Sequence, residues 1–282
     1  MNGQKKTMLI LGMHRSGTSL ITNWLYNCGL QVGTELMGPG PGNTEGHFED
    51  IDFYKLHMEI LKDNNLDDSG IIDYTRVNIS SAYKEEIKSL IESKNKQFDQ
   101  WGWKEPRTCL FLDFYREILP DAYYLVIFRD YQFVVTSLLR RAFIEIDTLY
   151  ETKKGFWSKL FWQKIKRKKV FKELCHQYAA SFLKAWICYN DTLIKNIQML
   201  PTYKYLVINY EMLKKDDQGI FSFLKTNWQF ALNYFRFSDV YKENLLSKTF
   251  DLDSYIEDKQ LISRANYITN NLMKYALAGI AC

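Results

Sequence analysis

Three short apolar runs punctuate the chain: TMLIL at 7–11, YYLVIF at 123–128 and KYLVI at 204–208. Unbroken runs of this length predict strands buried on both faces, as in a parallel sheet. WGW at 101–103 is a fourth candidate strand. Helical patterns lie between the runs. Residues 18–28 put Leu20, Ile21, Trp24, Leu25 and Cys28 on one face and stop at Gly29. Residues 83–96 turn Ile87, Leu90 and Ile91 inward, 108–119 is closed by Pro120, and 131–143 carries Val134, Val135, Leu138 and Leu139. The alternation predicts an α/β fold with a doubly wound, mainly parallel sheet flanked by helices. Helical insertions are expected around 131–200, and the C-terminal part reads as mostly helical.

In such sheets ligands gather outside the carboxyl ends of the strands. Gly12, Lys104, Arg129 and the Asn209-Tyr210 pair directly follow the expected strands, so they should converge on one edge. The stretch LILGMHRSGTSLITNWL has the glycine spacing of a phosphate-binding loop at Gly12 and Gly17, with a helix behind it. A backbone cradle at a helix N-terminus favours an anion. The lysine that would reach a γ-phosphate is replaced by Thr18, and the strong cation, Arg15, lies inside the loop. These features point to a compact 5′ anion without a γ-phosphate, held by the forked donors of Arg15. Arg129 ends a strand and Ser137 follows eight residues later, about two helical turns away. Together they would clamp a second phosphate. Separately, they are a salt-bridge residue and a helix-surface hydroxyl.

These motifs resemble those of the sulfotransferase family, which uses 3′-phosphoadenylyl sulfate (PAPS) as donor. RSGTS (Arg15, Ser16, Gly17, Thr18, Ser19) is similar to the family's 5′-phosphosulfate loop, and FRDYQFVVTSL to its 3′-phosphate segment. LVINYEML resembles the later strand whose tyrosine, here Tyr210, lies near the adenine, and WKEPR resembles the strand-end lysine segment facing the transferred group. The four motifs stand in the family's order over roughly residues 7–213. The resemblance implies a P-loop-like fold and in-line transfer of a sulfuryl group to an acceptor hydroxyl or amine. Adenosine 3′,5′-bisphosphate would be the product, and no metal would be required. Arg15 and Lys104 would stabilise charge growing on the departing oxygen.

For the proton acceptor, FED at 48–50 resembles the segment of glycan sulfotransferases whose first glutamate is the base, which maps to Glu49. Glu45 and His47 are rivals, and Glu49 could instead cap the helix starting near Ile51. The branch resembled implies a carbohydrate or glycolipid acceptor, and Arg107, nearer solvent, would touch an anionic acceptor or form an ion pair. No late RKG signature follows residue 214, so some donor contacts must come from elsewhere.

Length and composition narrow the alternatives. The 282 residues suit one domain spanning 1–282, with a basic and aromatic helical insertion around 144–175. Five scattered cysteines without a C-x-x-C argue against a disulfide framework or zinc site and fit a reducing compartment. MLIL is too short for a signal peptide and no apolar run reaches 18 residues, so a cytoplasmic location is expected, either soluble or peripheral at the inner membrane surface. The net charge of +4 does not imply a nucleic-acid partner, and none is expected.

Residues 153–172, however, hold nine Lys/Arg and no acid, leaving the remainder net acidic. Trp157, Leu160, Phe161 and Ile165 follow helical spacing within that stretch. It reads as a helix lying on an anionic membrane, a landing strip for an acidic glycan, or an exposed arm packed on the core. Two other classes compete with sulfuryl transfer. A nucleotide kinase or NTPase on a degenerate P-loop would need an acid where the strand YYLVIF is followed by Arg129. The other is a non-catalytic, membrane-associated nucleotide-binding protein.

Overall fold

A computed structural model describes residues 5–40, 46–73, 76–153, 155–242 and 249–280, without the side chains of 153, 156–158, 278 and 280. Glu45 and the Trp157 side chain therefore lie outside the described residues. Four parallel strands form the sheet: β1 (Lys6–Leu11), β2 (Gln100–Lys104), β3 (Tyr123–Ile127) and β4 (Tyr205–Ile208), in the order β2-β1-β3-β4. All four lie within one or two residues of the expected runs. The register pairs Ile10 with Lys104, Leu11 with Val126, and Ile127 with Ile208, so the strands end along one edge. The chain leaves β1 towards β2 and returns on the other side as β3. The switch point of the sheet is thus the gap between β1 and β3, where open α/β sheets bind ligands.

Successive strand side chains point to opposite faces, and each face is covered by helices. Leu9, Leu11, Trp103, Tyr124, Val126 and Val207 pack in one core with Phe53, Ile87, Leu138, Trp186 and Leu272. These partners come from α2 (Ile51–Asp63), α3 (Ser81–Gln97), α5 (Tyr131–Lys153), α7 (Arg167–Ile197) and α9 (Lys259–Ile280). Met8, Ile10, Leu125, Ile127 and Ile208 face a second core made with Ile21 and Trp24 of α1 (Thr18–Asn27) and Leu213 and Leu224 of α8 (Tyr210–Thr226). The doubly wound architecture is therefore the observed one. Capping fixes several helix starts: Asp50 accepts from the Asp52 and Phe53 amides, Ser80 from Tyr83, and Asn209 from Met212.

Two sequence expectations change. The helix expected over 108–119 is split into a 3-10 turn at Pro106–Phe111 and the short α4 (Leu112–Ile118). Pro106 supplies the fixed φ that starts that turn. The helix expected over 131–143 continues to Lys153 and leads through α6 (Phe156–Phe161) and one π turn (Trp162–Lys166) into α7. Trp162 is the anchor of this hairpin. Its ring stacks on Tyr150 at 3.8 Å, its indole N–H donates to Asp147, and it is fully buried. Phe161 and Ile165 remain 48% and 61% exposed among lysines.

Candidate functional site

The loop between β1 and α1 is forced by sterics. A Cβ on Gly12 would lie 2.3 Å from the Ile127 carbonyl oxygen, so only glycine lets β1 and β3 close over the switch point. Arg15 and Gly17 adopt positive φ, 67° and 94°, and Gly17 forms the N-cap of α1 without a side-chain cap bond. The first amides of α1 therefore face the loop with no capping side chain, the arrangement that favours an anion. Ser16 and Thr18 are buried beneath the loop.

Cations surround this cradle. The Arg15 Nε donates to Ser137 Oγ at 2.8 Å, which ties the loop to α5. Burial, then the nearby charges of Arg141 and Arg129, push the Arg15 guanidinium down to about 10. Arg129 donates to the Arg15 carbonyl oxygen at 3.5 Å and lies over the rings of Phe133 and Tyr210. Its Nε and Nη2 are buried with no hydrogen-bond partner among the described residues. Buried donors left unmade cost about 1–3 kcal/mol each, so they are expected to meet a ligand. Tyr210 begins α8, and its ring would lie 3.9 Å from a Cβ on Gly17, so it forms the loop's other wall.

At the end of β2, the fully buried Lys104 donates to Glu49 Oε1 at 2.8 Å and to Ser19 Oγ at 3.2 Å. Burial lowers the Lys104 ammonium, with the Glu49 charge acting the other way. Asp50, not Glu49, caps α2, so the Glu49 carboxylate is free of capping and turns to Lys104. His47 Nδ1 lies 4.0 Å from Glu49 Oε1. Burial, followed by the charges of Lys104, Arg141 and Arg15 acting against Glu49, lowers its imidazole. Both described base candidates thus occupy one corner.

Buried polar ties hold that corner. Lys94 of α3 reaches Asp50 at 2.8 Å, Asp52 at 2.7 Å and Thr34 at 2.9 Å, fixing the start of α2. His57 of α2 bridges Glu105 at 2.5 Å and Tyr115 at 2.7 Å, holding α2 beside the exit of β2. Arg107 departs from its expected place nearer solvent. It is buried, its Nη1 donates to Glu105 at 2.5 Å, and its Nε donates to the Asp68 carbonyl at 2.8 Å. Its fork is spent on structural bonds rather than turned to an acceptor.

The structure thus brings Arg15, Ser16, Gly17, Thr18, Ser19, Glu49, His47, Lys104, Arg129, Ser137 and Tyr210 to one sheet edge. Two further neighbours stand outside the expected set: His14, which the sequence offered as a partner of the sulfuryl group or as a packing residue, and Arg141, which it did not single out. His14 Nε2 is buried without a partner among the described residues, and burial, then the charges of Arg107, Lys104 and Arg141, keep its imidazole well below the usual range. Arg141 stands four residues beyond Ser137, a spacing that places both on one helix face and was legible in TSLLRR.

A protein-family model described as the sulfotransferase family matches residues 8–228. Solved structures similar to the chain include a sulfotransferase domain from the curacin biosynthetic pathway (14% identity, 96% of this chain and 98% of that one, TM-score 0.46). Another is a sulfotransferase domain from the Synechococcus PCC 7002 olefin synthase (16% identity, 94% and 95% coverage, TM-score 0.45). No curated protein matches the chain by sequence.

Proposed function

The chain belongs to the sulfotransferase family, and from that premise we propose that it moves a sulfuryl group from PAPS to a hydroxyl of a carbohydrate or glycolipid acceptor. The observation that carries this reading is the meeting of anion loop, cation and carboxylate, because Lys104 touches Ser19 of α1 and Glu49 at once. The residues present fit the donor. The uncapped start of α1 and Arg15 suit its 5′-phosphosulfate, while the unpartnered nitrogens of Arg129, with Ser137, suit its 3′-phosphate. Tyr210 would flank the adenine. When bound, PAPS supplies a sulfuryl group on a stable leaving group, adenosine 3′,5′-bisphosphate.

Glu49 takes the proton of the acceptor hydroxyl as its oxygen attacks. Lys104, turning from Glu49, joins Arg15 in holding the negative charge that develops on the departing oxygen. A cation is most effective there because that charge is new in the transition state. The kinase or NTPase reading is less favoured, since Arg129 rather than an acid follows β3. The glycan part rests on the likeness of the Phe48-Glu49-Asp50 segment to glycan sulfotransferases. The basic hairpin would meet an anionic membrane surface, with Phe161 and Ile165 inserting and Lys164, Lys166, Lys168 and Lys169 at the headgroups. No described helix is long and apolar enough to cross a membrane.

The test is Glu49→Gln. It should keep adenosine 3′,5′-bisphosphate affinity while transfer from radiolabelled PAPS falls roughly 10²–10⁴-fold, the usual span for a lost general base. Near-normal turnover removes Glu49 from the role.

A further inference from the structure

Glu49 is carried by two short stems of chain, residues 34–38 and 47–51, which pair antiparallel at the start of α2. Leu36 bridges to Asp50, the Met37 amide donates to the Glu49 carbonyl oxygen at 2.8 Å, and the Ile51 amide donates to the Glu35 carbonyl oxygen at 3.1 Å. A two-stemmed pairing this short has little stability of its own. Phe48, beside Glu49, is held at a φ of 53°, a left-handed backbone that a non-glycine residue keeps only when its surroundings impose it. The stems therefore need an anchor.

Lys94, in the last turn of α3, supplies it. The side chain is 2% exposed, and each of the three donors of its ammonium has a partner. These are Thr34 Oγ1 on the first stem at 2.9 Å, Asp50 Oδ2 on the second at 2.8 Å, and Asp52 Oδ2 in α2 at 2.7 Å. The other Asp50 oxygen caps α2. The first stem presses on the same carboxylate, since a Cβ on Gly33 would lie 2.6 Å from Asp50 Oδ2. Neighbouring residues of an extended stem turn to opposite sides, so Asp50 reaches Lys94 while Glu49 reaches Lys104. The last turn of α3 is itself tied to β2, because the Trp101 indole N–H donates to Asn95, the residue after Lys94, at 2.8 Å. Glu49 is thus held from β2 twice, directly by Lys104 and through α3 by Lys94 and Asp50.

We propose that Lys94 is a positioning residue for sulfuryl transfer: by clasping both stems it fixes where the Glu49 carboxylate stands, and so how an acceptor hydroxyl meets the base. Its three partners leave it no donor for a ligand, so it acts through Glu49. The proposal rests on the reading of Glu49 as the base and adds what aims it.

Lys94→Met alone strands the buried charge of Asp50. The experiment therefore uses the paired variant Asp50→Asn with Lys94→Met, in which the asparagine still caps α2. It is made in the full chain, in both the wild type and Glu49→Gln, with the fold checked by far-UV circular dichroism. Turnover is read as label passed from PAPS to pooled lactose, N-acetyllactosamine and galactosylceramide. The paired variant should lose about 10- to 100-fold, the cost of misplacing a catalytic group by about 1 Å. Its adenosine 3′,5′-bisphosphate affinity, by calorimetry, should stay within about twofold of the wild type. In Glu49→Gln the same pair should cost less than about twofold more, because the group it aims is already gone. A second readout needs no acceptor: urea unfolding of Glu49→Gln, Lys104→Met and the two together gives the coupling between these side chains. In the paired variant that coupling should fall by about half or more.

Equal loss of turnover with and without Glu49 overturns the proposal, since Lys94 then supports the fold in general. Wild-type turnover in the paired variant, an unaltered coupling, or bisphosphate binding weakened along with turnover overturns it as well. Near-normal turnover in Glu49→Gln, or no label transfer by the wild type, is a separate failure. It removes the base or the sulfuryl-transfer reading before Lys94 is touched, and the proposal falls with it.

Discussion

Replacing Lys104 by methionine keeps the volume of the side chain but removes an ammonium with no solvent exposure. Glu49, 7% exposed, would lose its 2.8 Å partner, and the nearest ion-pair neighbour left to it among the described residues is His47 at 4.0 Å. Breaking a buried pair from one side leaves an uncompensated charge and costs about 3–5 kcal/mol. Glu49→Gln should cost less, about 2 kcal/mol, because the amide oxygen still accepts from Lys104 and burial already lowers that ammonium. The double variant replaces the pair by two neutral groups of similar size, which removes the unpaired charge. It should be about 2–3 kcal/mol more stable than the sum of the single losses predicts. Urea unfolding of all four proteins, with slopes compared, measures this coupling. Losses that add within about 0.5 kcal/mol would refute the claim that Glu49 and Lys104 form one buried unit.

Other expectations follow from the same geometry. Arg129→Ala should weaken adenosine 3′,5′-bisphosphate binding about 10- to 100-fold by calorimetry, the worth of charged hydrogen bonds, while far-UV circular dichroism stays unchanged. Gly12→Ala forces a methyl group against the Ile127 carbonyl and should cost at least about 3 kcal/mol or prevent soluble expression. Against the upward pull of burial, the charge of Arg107 and the hydrogen bond with His57 hold Glu105 at about 2, below its ordinary 4.5. The stability from this depressed value is complete above pH 4.5 and is lost as pH falls towards 2. Glu105→Gln should therefore be less stable at neutral pH and show a flatter acid-unfolding curve in that window. Cosedimentation with phosphatidylserine vesicles should weaken with salt and with Lys164→Glu and Lys168→Glu together; indifference to both removes the membrane contact.

The strands were legible because β1, β3 and β4 are buried on both faces and so appear as unbroken apolar runs. The loop was legible because Gly12 and Gly17 occupy positions that other residues would enter only with a clash or strain. Residues acting through tertiary contacts left weaker marks. Lys94 sits in the polar run ESKNKQ and reads as a solvated helix lysine, yet it is buried on Asp50 and Asp52. Arg107 reads as an exposed cation because nothing local announces the burial of Glu105. The extension of α5 to Lys153 escaped the pattern because its last turns expose Ile144 and Leu149, which breaks the amphipathic period.

The central claim is that this sheet edge accommodates a nucleotide with two separated anionic groups and needs no metal to do so. Calorimetric titration with adenosine 3′,5′-bisphosphate in EDTA, beside ATP with Mg²⁺, tests it directly. The account predicts saturable one-site binding of the bisphosphate, with about 2.7 kcal/mol of added stability at 100 times its Kd. Silence with the bisphosphate while Mg²⁺-ATP binds would contradict it.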